Sequence, residues 1–363
     1  MILRVLFISL TLLACVLCSC DILEWTGGSY EFPNEDAEFM AIQNGSYIPQ
    51  NVIATRGQIY KDDIYVALPR FKPGNPATLA KVAVKSICSD AVLTPFPNWE
   101  AQNQNDTDGL HSIVDIFVDI HGVLWALNSG IVNVLTEPIR KCHPKVVAYN
   151  LLTGSKIKTV DLSGLVVQGS RLQYLAVDYG TDGKPFVYIT DAATRSIIVF
   201  NVIENKAYRI VVPKSALGPR RDVLYAALVQ KGCGNNILVF TYLSGSRIFS
   251  IKTEYLRSGS ASGKIEDLGA KDGRIILLGT DGGTAIFYRY EGKPEIYRWD
   301  ANQGSFLGGE LVYSSPSCYL STQVLPDARR LRMRVLESNF PDYLAGTVGC
   351  GAAQRVALMI GST

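Results

Sequence analysis

Histidine occurs three times in the 363 residues, and only 19% of the chain is charged. Lys plus Arg number 35 against 33 Asp plus Glu, a net charge of +2. So little charge of one sign provides no electrostatic footprint for nucleic acid or an anionic membrane surface, and neither is expected as a partner. Past residue 20 no apolar run approaches the ~18–20 residues of a membrane-crossing helix, so no membrane span is expected. There is no Gly-x-Ser-x-Gly elbow and no Gly-x-x-x-x-Gly-Lys phosphate loop, which argues against serine-hydrolase and nucleotide-triphosphatase chemistry. Zinc needs clustered ligands at short spacing, whereas the cysteines here are isolated; no metal and no cofactor are expected. Long 3.6-period segments are missing as well, so helix is a minor component.

Apolar residues, by contrast, make up 47% of the chain, and 32 Gly and 16 Pro accompany 18 Tyr and 13 Phe. Turn formers and strand formers in that proportion indicate a globular all-β protein. The N-terminus differs from the rest. A short positive start at Met1–Arg4, an apolar stretch over Val5–Leu17 and small residues at Cys18-Ser19-Cys20 precede a polar segment, the order of a secretory signal peptide. Residues 1–20 are therefore expected to be removed, leaving 21–363 as one secreted domain. Five cysteines then remain, Cys88, Cys142, Cys233, Cys318 and Cys350. In an oxidising compartment an odd count implies two disulfides and a leftover thiol. The sequence does not fix the pairing; proximity along the chain favours Cys88 with Cys142 and Cys318 with Cys350. Asn44-Gly45-Ser46 and Asn105-Asp106-Thr107 are glycosylation sequons in polar, turn-like surroundings.

Short apolar runs recur at fixed spacing. Val146–Gly154 (VVAYNLLTG) matches Ile197–Asn205 (IIVFNVIEN) at an offset of 51 residues, and further copies start at Ile248 and Ile296. Each of the first two copies runs on into a second strand, and each follows another strand pair, such as Ile113–Asp119 with Val123–Leu127. Four strands in each unit of about 50 residues is the signature of a propeller blade. The expectation is a single six-bladed β-propeller, with a double β-sandwich as the alternative. A propeller places ligand sites on its axis, where rigid blades present loops around a channel mouth.

Several segments resemble the Yellow / major royal jelly protein family: Tyr30–Pro33 (YEFP), Asn44–Pro49 (NGSYIP), Ile64–Phe71 (IYVALPRF), Gly74–Ala80 (GNPATLA), Leu93–Trp99 (LTPFPNW), Leu124–Gly130 (LWALNSG), Cys142-His143-Pro144 and Val187–Asp191 (VYITD). The resemblance runs in register from about residue 30 to about residue 340 and is nearest to the eggshell-associated Yellow branch. It implies a secreted six-bladed propeller of insect origin. It also implies one of three roles: a component of cuticle or eggshell, an isomerase of dopachrome, or a carrier of biogenic amines. The chain departs from the family pattern in carrying Asn128 where Asp is usual, which keeps an acceptor and loses a charge. Cysteines usual near Leu110 and His121 are both absent. Glu337-Ser338-Asn339-Phe340 is similar to a Ser-Asn motif whose Asn lies by the family's amine channel, although Pro341-Asp342-Tyr343 departs from the usual flank.

Proton transfer on dopachrome would need a general acid–base near working pH. His111, His121 and His143 read as turn or structural residues. Asp119, Asp178 and Asp191 end apolar strands in comparable repeat positions, a recurrence that favours turn capping; Asp191 is the best of the carboxylates. An amine would need an acid or polar cage with aromatic walls, for which Asn128, Asp191, Asn339 and Phe340 are the candidates. The reading is a coat protein acting in formation, hardening or pigmentation of eggshell or cuticle, with no catalytic residue assigned. Its expected partners are extracellular matrix or eggshell proteins, and a small aromatic amine or catechol.

Overall fold

The computed structural model describes residues 22–84, 91–213, 222–231, 235–327 and 332–359. The proposed signal peptide, Cys88 and Cys233 lie outside these residues. Among the described residues there are six four-stranded antiparallel sheets and one short hairpin. β1 (Ile22–Thr26) is followed by blade 1, built from β2 (Arg56–Tyr60), β3 (Asp63–Ala67), β4 (Leu79–Ala83) and β5 (Thr94–Pro95). Blade 2 holds β6 (Ile113–Val118), β7 (Val123–Asn128), β10 (Lys145–Asn150) and β11 (Lys156–Asp161), with the hairpin β8 (Ile131–Val132) and β9 (Ile139–Arg140) between its second and third strands. Blade 3 is β12 (Leu172–Tyr179), β13 (Pro185–Asp191), β14 (Ser196–Asn201) and β15 (Lys206–Val211). Blade 4 is β16 (Leu224–Val229), β17 (Ile237–Tyr242), β18 (Arg247–Lys252) and β19 (Glu266–Ala270). Blade 5 is β20 (Ile275–Thr280), β21 (Ala285–Tyr290), β22 (Glu295–Asp300) and β23 (Glu310–Ser314). Blade 6 takes β24 (Leu320–Pro326), β25 (Met333–Ser338) and β26 (Ala353–Met359) from the end of the chain and β1 from its beginning.

The inner strands β2, β6, β12, β16, β20 and β24 touch in ring order, and β24 returns to β2. The protein is thus the six-bladed β-propeller expected, and the 51-residue offset joins equivalent third strands, β10, β14 and β18. Blade 6 differs from the sequence reading in its outermost strand. β1 pairs with β26 from Ile22↔Ala357 to Thr26↔Ala353, so the two ends of the chain share one sheet and close the ring.

Both faces of a blade are buried against neighbours, which explains why the central strands read as continuous apolar runs. In β3, Ile64 and Val66 pack towards blade 6 with Leu325 and Val356, while Tyr65 and Ala67 pack towards blade 2 with Ile113 and Leu124. The four other blade boundaries repeat this division. Polar side chains on the inner strands add staples across the boundaries. Gln58 accepts from the Val118 N–H (3.4 Å), Asp115 from Leu175 (2.7 Å), Gln173 from Leu224 (2.9 Å) and Gln323 from Gly57 (2.7 Å). Each ties one inner strand to the next, satisfying backbone donors that face the axis rather than a sheet partner.

Candidate functional site

The inner strands surround an axial cavity of about 640 Å³. Its mouth lies where inner strands turn into second strands, lined by Tyr60, Gly122, Tyr179, Gln230 and Asp327; Arg56, Asp115 and Tyr174 form its floor. Arg56 starts β2 and lies over the Tyr174 ring at 4.6 Å. Its guanidinium donates to the Thr322 carbonyl (2.7 Å) and the Tyr174 hydroxyl (2.5 Å) and stands 3.6 Å from Asp115. The second Asp115 oxygen is held by the Leu175 N–H, and the first also accepts from Ile116 (3.0 Å). Burial raises the Asp115 carboxyl to about 6, against the pull of Arg56 and the two N–H donors. Burial likewise pushes the Tyr174 hydroxyl up, partly offset by Arg56.

Two more carboxylates line the wall. Asp119 accepts from the N–H groups of His121 (2.8 Å) and Val123 (3.0 Å), the Trp125 indole (2.7 Å) and the Tyr179 hydroxyl (2.6 Å). That is the turn-capping role expected from its position, and Asp281 repeats it in blade 5. Asp178 departs from that expectation: it pairs with Arg257 and accepts from Asn236 (2.8 Å), linking blade 3 to blade 4 instead of closing its own turn. Among the described residues no group of three or more His, Cys, Asp or Glu is arranged to hold a metal. What the cavity offers a ligand is an aromatic wall (Tyr60, Phe117, Tyr179), amide groups at the mouth, and a cation–carboxylate pair at the floor.

The four ligand candidates from the sequence do not line this cavity. Asn128 and Asp191 end second strands and Asn339 directly follows one, which in an antiparallel blade places them at the end away from the mouth. Asn128 is fully buried and accepts from the N–H groups of His111 (3.2 Å) and Ser112 (2.8 Å). Asp191 accepts from Arg171 (2.9 Å) and pairs with Arg209 (3.4 Å). Asn339 accepts from Ala353 (2.9 Å), and Phe340 stacks on Tyr343 at 6.0 Å. In blades 2 and 3 the same job recurs: the acceptor at the end of the second strand fixes the residue that enters the inner strand. The missing charge of Asn128 is immaterial to it, because both contacts use one amide oxygen.

Cys142, Cys318 and Cys350 are free thiols, the last two exposed, so the pairing of Cys318 with Cys350 favoured by proximity is not formed. Both stand in turns outside the sheet, Cys318 with φ +79°. Cys142 instead approaches the ring of buried His111 (Sγ–Nδ1 3.2 Å). Asn44 and Asn105 are both exposed. His121 sits in the β6–β7 turn, exposed, with its ring against Tyr179 at 4.8 Å. Arg56, Asp115 and Tyr174 were not singled out in the sequence. The available signal was Asp115 itself, an acid inside the apolar run IVDIFV, where only a partnered group is tolerated.

A closed propeller with a polar-floored axial cavity is the class that fold and site define. The chain belongs to the major royal jelly protein family, whose sequence pattern matches residues 111–357. Protein yellow of Drosophila melanogaster is 27% identical over 189 residues, 51% of this chain and 35% of that protein. Dopaminechrome tautomerase of Drosophila melanogaster is 27% identical over 194 residues, covering 52% and 42%, and major royal jelly protein 1 of Apis mellifera is 29% identical over 195, covering 52% and 44%. The chain therefore matches less than half the length of these relatives. Among solved structures, an α-L-arabinofuranosidase of Fusarium graminearum superposes with a TM-score of 0.54 at 12% identity, over 86% of this chain and 95% of that one. An α-L-arabinanase of Penicillium chrysogenum does so at 0.51 and 12%, over 93% and 97%. These two share the fold.

Proposed function

We propose that this chain is a secreted protein of an insect extracellular coat, eggshell or cuticle, acting in its formation, hardening or pigmentation by holding a small catechol or aromatic amine in the axial cavity. The observation that carries the reading is the satisfied state of three carboxylates on the cavity's floor and wall. Asp115, Asp119 and Asp178 are each bound by protein N–H, O–H or guanidinium donors, an arrangement suited to shaping a site. Asp115 is buried at the floor, each of its oxygens accepts an N–H bond and Arg56 stands beside it, so its carboxyl is held in place by the protein. Binding is therefore favoured over dopachrome isomerisation. The relatives support the setting: one is named protein yellow, one dopaminechrome tautomerase and one major royal jelly protein 1.

Calorimetric titration of the secreted protein with dopamine, beside a dopachrome-decay assay, tests this. Saturable binding that weakens at least tenfold in Tyr179→Ala, without faster dopachrome decay, is the expected result. Accelerated decay abolished by Asp115→Asn would make the protein an enzyme. Absence of binding by dopamine, serotonin and octopamine alike would remove the carrier reading.

A further inference from the structure

A second cleft, of about 520 Å³, opens on blade 5 at the end away from the axial mouth and shares no residue with the axial cavity. Its floor is aromatic. Tyr288 and Tyr290 alternate along β21, and Tyr297 lies opposite Tyr288 across the β21–β22 pair, so the three rings share one face of the sheet. Tyr288 and Tyr297 stack at 5.5 Å and 20°; Tyr290 meets them edge-on at 5.9 and 5.5 Å. Tyr288 is buried, whereas Tyr290 and Tyr297 are half-exposed to the cleft. Gly273 keeps the floor open, since a Cβ there would stand 3.1 Å from the Tyr290 ring.

The rim is polar. Arg274 pairs with Glu291 at 2.9 Å, Lys293 and Glu295 stand beside them, and Asp272 accepts from the Tyr290 hydroxyl at 2.7 Å. With three carboxylates to two cations, an anionic ligand finds no net attraction there. A flat apolar face is favoured by the tyrosines, while hydroxyl groups find donors and acceptors side by side on the rim. One ligand class combines these demands: a neutral pyranose, with a C–H face for stacking and hydroxyls around its edge. Every lining residue is exposed or half-buried, so the ring can belong to a chain that continues past the cleft on either side.

We propose that this cleft binds neutral pyranose units of a polysaccharide. The site gives the protein a grip on carbohydrate that does not depend on any ligand in the axial cavity. It is tested by titrating the full secreted protein with three hexasaccharides: β-1,4-linked N-acetylglucosamine hexamer, cellohexaose and maltohexaose. At least one is expected to bind, and to bind at least tenfold more weakly to both Tyr297→Ala and Gly273→Ser. Gly273 has no positive φ, so serine is accommodated by the backbone and fills the floor without unfolding the blade. The melting temperature of Gly273→Ser is expected to match the wild type. Failure of all three sugars to bind the wild-type protein overturns the proposal, as does binding that survives both substitutions. Dopamine titration of the same samples reports the axial cavity separately.

Discussion

Replacing Asp115 by Asn measures what it costs to hold a carboxylate at the floor of the axial cavity. Asp115 is 5% exposed, and burial lifts its pKa from the ordinary 3.8 to about 6. Between those values the native protein carries more bound proton than the unfolded chain. Stability from this group is therefore fully present below about pH 4, declines as pH rises, and is lost once pH passes about 6. At about 1.36 kcal/mol for each pH unit, the displacement is worth on the order of 3 kcal/mol. The Asn variant does not titrate, so its own packing change is a constant offset. Urea unfolding of wild type and Asp115→Asn at intervals from pH 4 to 7 gives two stability curves, and the other titrating groups cancel in their difference. Wild type is expected to lose on the order of 3 kcal/mol relative to the variant across that range. Curves that stay parallel within about 0.5 kcal/mol would show that the carboxyl is solvated, and the account of a dry, protein-satisfied floor would fall.

Arg70→Met is expected to destabilise by about 3–5 kcal/mol in the same unfolding assay, because Arg70 donates to the carbonyls of Asn75, Pro76, Gln102, Leu110 and His111 at 2.6–2.9 Å and five acceptors would lose their donor; a change below about 1 kcal/mol would mean that water replaces it. In the native protein Cys318 and Cys350 should react with a thiol reagent within the mixing time and Cys142 more slowly, as read by peptide mapping; protection of Cys318 and Cys350 that is released by a reductant would instead reveal a disulfide. Gly130→Ala should cost at least about 2 kcal/mol, since Gly130 has φ +69° and a Cβ would meet the Cys142 carbonyl oxygen at 2.2 Å; thermal unfolding within a degree of wild type would contradict the tight β7–β8 turn.

The propeller was legible because its physics is repetitive. Each blade buries both faces, so each third strand reads as the same apolar run, and 51 residues later the pattern returns. The closing strand was not legible. Ile22–Thr26 (ILEWT) stands next to the segment that reads as a signal peptide, and nothing local in it announces a partner more than 300 residues away; only closure of the ring supplies the reason. The sequence also leaves cysteine pairing open: Cys318 and Cys350 are free thiols, and bonding depends on Cβ geometry that sequence does not carry.

Asn128, Asp191 and Asn339 were attractive candidates because they are polar residues at the ends of apolar strands, and Asp119 and Asp178 have the same appearance. Strand direction separates the two groups. An inner strand and its antiparallel neighbour end at opposite faces of the propeller, so acids that close inner strands ring the axial mouth, and polar residues that close second strands ring the other end. At both ends these side chains are first used within the protein, by Asn128, Asp191, Asn339 and Asp119 to satisfy backbone N–H groups and by Asp178 to tie blade 3 to blade 4. Asn128 and Asp191 do it within a blade, and Asp115 does it between blades. A polar side chain at a strand end is thus accounted for by the propeller before any ligand is considered. The aromatic residues add ring surface to whatever bond their hydroxyls make, as Tyr179 does to Asp119 and Tyr290 to Asp272: Tyr60 and Tyr179 line the axial mouth, and Tyr290 and Tyr297 the blade 5 cleft. Recognition by this protein should accordingly track its exposed rings more closely than its carboxylates, and substitutions of those rings should separate ligand binding from folding where substitutions of the acids cannot.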